Sequence, residues 1–228
     1  MIKDAGLEYN KQWKAIADEG IGGPVPYVAP TTYTVVPASP SSPEAIVTIA
    51  GKGYTDMMAA THRPLMPAFF PNEIYYSLEF NISTDDNAPT KAQALESEAV
   101  YCHLDDTGKC WYYNNSLQFN YQEGGMIQVF TPTNPWLDTG IKVPKFTPNL
   151  PCPVKISYLV DTVNHVMSTQ AVMVNGVSHA LPASCQKLPG VNKSPIWAPG
   201  VYVQFQLDLA FAGGTFVNKY SGVGINWE

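Results

Sequence analysis

Residues 200–211 read Gly-Val-Tyr-Val-Gln-Phe-Gln-Leu-Asp-Leu-Ala-Phe, and their apolar side chains alternate with period two. Val201, Val203, Phe205, Leu207, Leu209 and Phe211 share one parity, while Tyr202, Gln204, Gln206 and Asp208 share the other. Successive side chains of a strand point to opposite faces, so one face of this run belongs to a core and the other is open. A helix would scatter the same residues around its axis. The open face carries groups that stack and hydrogen-bond, which suits a ligand.

Further strand-like runs fill most of the chain. Ile74–Ser83 alternates in the same way, with Ile74, Tyr76, Leu78, Phe80 and Ile82 on one side and Tyr75, Ser77, Glu79 and Asn81 on the other. Glu98–Leu104 and Cys110–Tyr121 flank the turn sequence Asp105-Asp106-Thr107-Gly108, a hairpin signal. Val154–Val160 and His165–Val174 form a second pair, and Asn175-Gly176 then turns the chain into Val177–Leu181. With Ala45–Ala50, Met126–Thr131 and Val223–Trp227, the reading is about ten strands with short turns. Such a chain makes a sandwich or a barrel, and long strands with one polar face favour an all-β, two-sheet antiparallel jelly roll. Tyr9, Trp13, Ile16 and Ala17 have helical spacing, and Gly20, Gly22 and Gly23 stop the pattern. Residues 1–44 therefore read as a short N-terminal helix or arm with an extended polar segment, packed on a single domain over residues 45–228.

Composition narrows the function classes. Hydrophobic residues make up 45% and charged residues 14% of the 228-residue chain, against about 25% charged in an average soluble protein. The net charge of −6 argues against nucleic acid as a partner, since phosphate binding needs a basic surface. Arg63 is the single arginine, which counts against a cleft for strongly acidic polymers. No apolar stretch is long enough for a membrane-spanning helix, and a membrane partner is not expected. Of the three possible pairings of four cysteines, spacing favours Cys102–Cys110 and Cys152–Cys185. Disulfides, together with the glycosylation sequons at Asn81, Asn114 and Asn192, fit a secreted protein. No cofactor is implied. Calcium is the metal that Asp85-Asp86-Asn87 or Asp105-Asp106 would suit, although both are also ordinary turn sequences.

The strand pattern over residues 45–228 resembles the concanavalin A-like jelly-roll group, which includes lectins, laminin-G-like modules, glucanases and polysaccharide lyases. Lys155–Leu181 is similar to the central hairpins of laminin-G-like domains. Tyr101-Cys102-His103 resembles the Gln-Ile-His tripeptide of alginate-lyase-type jelly rolls, and Ala198-Pro199-Gly200-Val201-Tyr202-Val203-Gln204 resembles their Lys-Ala-Gly-Val-Tyr-Asn-Gln run. Tyr101, Ala198 and Val203 depart from those motifs, and Ile74–Asn81 contains no arginine where those enzymes carry an arginine-rich strand. The resemblance implies a carbohydrate-active protein of polysaccharide-lyase type. Tyr202 would act as base and acid, with His103 and Gln204 neutralising the substrate, if all three face one groove.

Other residues suit binding. Tyr75, Tyr101, Trp111, Tyr113 and Trp197 would stack on sugar faces or enclose a flat hydrophobic molecule, with Glu79 and Gln206 supplying hydrogen bonds. Glu96 and Glu98 share a strand face about 6.6–7 Å apart, a carboxylate spacing used by inverting glycosidases. Two alternatives stand beside the lyase: a non-catalytic lectin-like module, and an isomerase or cyclase acting on a small hydrophobic metabolite in an enclosed pocket. The sequence leaves oligomeric state open.

Overall fold

The computed structural model describes residues 2–18, 27–64, 72–130, 136–186, 188–189, 191–193 and 199–227, with only the backbone described at 2–4, 18, 188–189 and 191–193. Eighteen strands among these residues form two antiparallel sheets. One sheet runs β14 (Val177–Ala180), β13 (Val166–Val174), β12 (Cys152–Asp161), β6 (Glu73–Thr84), β18 (Gly214–Trp227), β4 (Ala45–Gly51) and β3 (Thr32–Val36). In it β1 (Ile2–Ala5) also pairs with β18, and β15 (Leu188–Pro189) with β13. The other runs β11 (Leu137–Lys142), β10 (Met126–Val129), β9 (Leu117–Asn120), β7 (Ala92–Leu104), β17 (Gly200–Leu209), β5 (Thr55–Pro64) and β2 (Lys14–Asp18). There β8 (Cys110–Tyr113) pairs with β7, and β16 (Val191–Lys193) with β8. The most regular strand of the sequence, β17, thus lies in the middle of a sheet, where both of its edges are paired.

The inward faces of the two sheets make one core. Val201, Val203, Phe205, Leu207 and Leu209 are fully buried in it, as the alternation requires. Phe205 stacks on Tyr220 of β18 with ring centroids 3.9 Å apart, and Phe80 of β6 meets it edge-on at 4.9 Å. Such contacts lock the two layers together, and truncating a phenylalanine in such a place costs roughly 3–5 kcal/mol.

The N-terminal segment differs from the expected helix. Residues 2–5 and 14–18 are strands, joined through a single 3₁₀ turn at Leu7–Tyr9, and β3 also lies before residue 45. The exposed edge of β5 explains the difference, because its unpaired N–H and C=O groups reward any strand that adds to it. Ile16 accordingly sits opposite Met58 on the outward face, and the Trp13 ring packs on Phe205 inside. Residues 1–44 thus contribute strands to both sheets.

All four cysteines carry free thiols, which corrects the expected disulfides. Cys102 lies opposite Tyr112 and Cys110 opposite Leu104, so these two are diagonal rather than directly facing neighbours. Cys152 and Cys185 are far apart. Val154 pairs with Val174, whereas Cys185 falls between Leu181, bonded to Gln170, and Leu188, opposite Met167. That offset along β13 amounts to about 20 Å at strand spacing, while a bridge needs Cα atoms within about 7 Å.

Candidate functional site

Polar side chains gather on the outward face of the β17 sheet. Strand register puts Tyr202 between His62 and Val100, Gln204 between Ala60 and Glu98, Gln206 between Met58 and Glu96, and Asp208 between Asp56 and Ala94. On one side β2 extends these rows with Lys14 beside Ala60 and Ile16 beside Met58. On the other, Gln118 lies beside Glu96, Gln128 beside Gln118, and Asp138 beside Gln128.

A trough opens where one row lacks bulk. The Ala60 methyl group sits between the longer Lys14 and Gln204, with Met58 and His62 two residues away on its own strand. The resulting hollow measures about 580 Å3 and is lined further by Gln12, Ile16 and Tyr202. A second hollow of about 400 Å3 shares Gln12 and His62 with it and continues to Tyr9 and Arg63.

Tyr202 and His62 wall the trough as a stacked pair, with ring centroids 4.2 Å apart and planes 19° apart. Burial lowers the His62 pKa, against a backbone hydrogen bond at Pro199 that raises it, so the imidazole is neutral near pH 7. Beyond the trough the outward face is a connected polar row. Gln206 Nε2 donates to Glu96 Oε1 and to Asp208 Oδ1, each at 3.1 Å. Asn120 Nδ2 donates to Gln128 Oε1 at 3.0 Å, Gln118 donates to the same oxygen, and Gln128 donates to Asp138. Ser116 donates to Glu98. Glu96 is held well above its ordinary pKa, first by burial and then by Asp208, Glu98 and Asp56.

The structure divides the expected site residues. Tyr202, Gln204 and Gln206 share the outward face, and Glu96 and Glu98 join them from β7. His103 does not. It lies on the opposite face of the same sheet, since Val201 pairs with Tyr101 and Tyr202 with Val100, which gives Tyr202 and residue 103 opposite parity. The imidazole is buried between the sheets, stacked on Tyr113 at 5.7 Å, and so cannot share a groove with Tyr202. Tyr101 and Tyr113 are core residues as well, and Trp111 packs face to face on His165 at 3.4 Å. Tyr75 and Glu79 belong to the outward face of the other sheet, where Glu79 pairs with Lys155 at 3.1 Å. Trp197 lies outside the described residues.

Of the sequons, Asn81 is half-buried on the β18 sheet and donates to the Ser221 carbonyl at 3.4 Å. Asn114 accepts from Ser116 beside Glu98, and the Asn192 side chain lies outside the described atoms. Of the carboxylates considered for calcium, Asp85 and Asp105 serve their own turns, and Asp86 accepts from Asn149. Asp85 Oδ1 accepts from the N–H groups of Asn87 and Ala88, and Asp105 accepts from Thr107, Lys109 and the Trp111 indole. Among the described residues no three His, Cys, Asp or Glu side chains are grouped for metal binding.

His62, Lys14, Gln118 and Gln128 were not singled out by sequence. The signal available for the amides was parity: Gln118 and Gln128 alternate with Leu117, Phe119, Ile127 and Val129, which face the apolar core. For His62 the signal was its alternation with Thr61 and Ala59, which needs β5 to be recognised as a strand first.

No known protein-family model matches the chain, and no curated protein matches it. Solved structures do. Basic winged bean lectin with Tn-antigen matches 100% of this chain and 98% of its own at 11% identity, with a TM-score of 0.53. Arcelin-5, a lectin-like defense protein from Phaseolus vulgaris, matches the same shares at 11% identity with a TM-score of 0.52. A family 7 alginate lyase matches 84% of this chain and 82% of its own at 10% identity, with a TM-score of 0.43. Two antiparallel sheets in a sandwich that superposes end to end on legume lectins give the chain the concanavalin A-like jelly-roll fold.

Proposed function

We propose that the outward face of the β17 sheet binds a carbohydrate, with the trough over Ala60 as the principal subsite. The observation that carries this reading is the stacked Tyr202–His62 pair beside Gln204 and Lys14, which together line the trough. Rings accept the apolar face of a sugar, and amides and carboxylates match its hydroxyl groups in both donor and acceptor roles. The trough lies at the β2 edge of an outward face, which suits a chain-like ligand better than a sealed metabolite. The same fold carries Tn-antigen in winged bean lectin. Screening the full chain against immobilised glycans tests the proposal: a set of glycans is retained, and Tyr202→Ala loses them. Absence of any retained glycan sinks it.

A second reading, cleavage by β-elimination, draws on one observation. Tyr202, His62, Gln204 and Lys14 line a single trough, so a base, a neutral imidazole and two carboxylate-neutralising groups converge there. Under this reading a uronate polymer gains unsaturated ends that absorb in the ultraviolet, and Tyr202→Phe abolishes the signal. Secretion is proposed with both readings, on the strength of the sequons. An intact mass of protein from a secretory host checks it through the added glycan.

A further inference from the structure

The rim of the sandwich beside β14 holds a cavity unrelated to the trough. Val172 and Val174 of β13 point into the core and are buried. Register places His179 beside Val172 and Val177 beside Val174, so both β14 residues share that inward parity. Yet Val177 is 58% exposed. An inward-facing valine is exposed because the β17 sheet does not extend across from this edge. The segment after β11 crosses there instead, with Phe146 buried beneath it and Leu150 59% exposed.

The space left measures about 470 Å3. Its walls are apolar, from Val143, Phe146, Leu150, Val174 and Val177, and the Cys152 thiol lines it. Cys152 shares inward parity with Val154 and Ile156, and is half-buried. Lys142, Lys145 and His179 also line it, with the neutral Thr147 and Asn175. Lys145 is fixed at the rim, its Nζ donating to the Pro89 carbonyl at 2.7 Å and sitting 5.3 Å over the Tyr121 ring. Among the described residues no Asp or Glu lines this cavity, in a chain with 19 acidic residues against 13 lysines and arginines. An apolar hollow edged by two lysines, with an imidazole beside them, complements a molecule that is greasy along its length and anionic at one end.

We infer that this cavity is a binding site for a small apolar monocarboxylate, its hydrocarbon body against Phe146, Val174 and Val177 and its carboxylate at Lys142 and His179. The inference is independent of the carbohydrate proposal, since the two sites share no residue.

Cys152 supplies a local readout. The full chain is titrated with decanoate, decanol and decylamine, and iodoacetamide labelling of each cysteine is followed by peptide mass. Decanoate at ten times its Kd slows Cys152 labelling about tenfold by simple occupancy, while Cys102 and Cys110 are unaffected. Decanol binds about tenfold more weakly, for want of the charge-assisted contacts, and decylamine gives no protection. Lys142→Ala weakens decanoate but not decanol. Val177→Glu, at an exposed position that spares the fold, removes protection altogether. An unchanged Cys152 rate at saturating decanoate, or equal protection by decanol or decylamine, overturns the inference.

Discussion

Gly200 illustrates how much of the trough depends on one residue. Its φ is +149°, and a Cβ there would lie 2.4 Å from the Arg63 carbonyl oxygen and 2.6 Å from His62 Nε2. Gly200→Ala therefore drives His62 off Tyr202, and glycan affinity is expected to fall about tenfold or more. Titration calorimetry against a retained glycan checks this. Glu96 makes a prediction about pH. Its folded pKa is raised above the ordinary 4.5, so the folded chain keeps a proton that the unfolded chain has released. The stability this contributes is complete below pH 4.5 and is lost as pH rises through the folded value. Glu96→Gln should leave stability near pH 4 unchanged and raise Tm at pH 8 by about 2–4 °C, a gain of roughly 1 kcal/mol. An equal shift at both pH values contradicts the assignment. Tyr202, Gln204 and Gln206 were legible because strict alternation fixes their face. His103 was misread for a reason the sequence already contained: it lies five positions after Glu98, an odd step, so both cannot face outward in an unbulged strand.

At the scale of elements, the N-terminal turn is the part least legible and most informative. Glu8 is buried, and its two carboxylate oxygens accept from the backbone N–H groups of Gly222 and Val223, each at 3.0 Å. The turn between β1 and β2 is thereby pinned to β18, and the Trp13 indole donates to the Leu7 carbonyl at 2.9 Å to hold its far side. Glu8→Ala leaves the buried Val223 N–H without its partner and frees the exposed Gly222 N–H, and is expected to destabilise the protein by roughly 1–3 kcal/mol. The urea midpoint measures it, and a change below 0.5 kcal/mol would contradict the role. Sequence spacing suggested a helix here because Tyr9, Trp13 and Ile16 recur at three and four residues. Local spacing carries no information about the unpaired edge of β5, which lies forty residues downstream. The hairpins β7–β8 and β12–β13 were legible because their turn residues and alternation are local.

For the whole molecule, two layers and one core followed from period-two patterning, while the site depended on long-range pairing. β5 and β7 reach β17 across roughly a hundred residues and more, and only their registers bring His62, Glu96 and Glu98 next to Tyr202, Gln204 and Gln206. The molecule consequently has two different outward faces. The β17 face holds amides, carboxylates and a ring pair around a hollow, whereas the β18 face holds Tyr75 and the Glu79–Lys155 ion pair. The central claim is that the first of these faces takes the ligand. Titration calorimetry with the best retained glycan compares the doubly substituted Tyr202→Ala, Gln204→Ala protein with Tyr75→Ala, Glu79→Ala on the opposite sheet. The account predicts an affinity loss of about tenfold or more for the first pair and no change for the second. Undiminished binding by the first pair, or loss confined to the second, contradicts it.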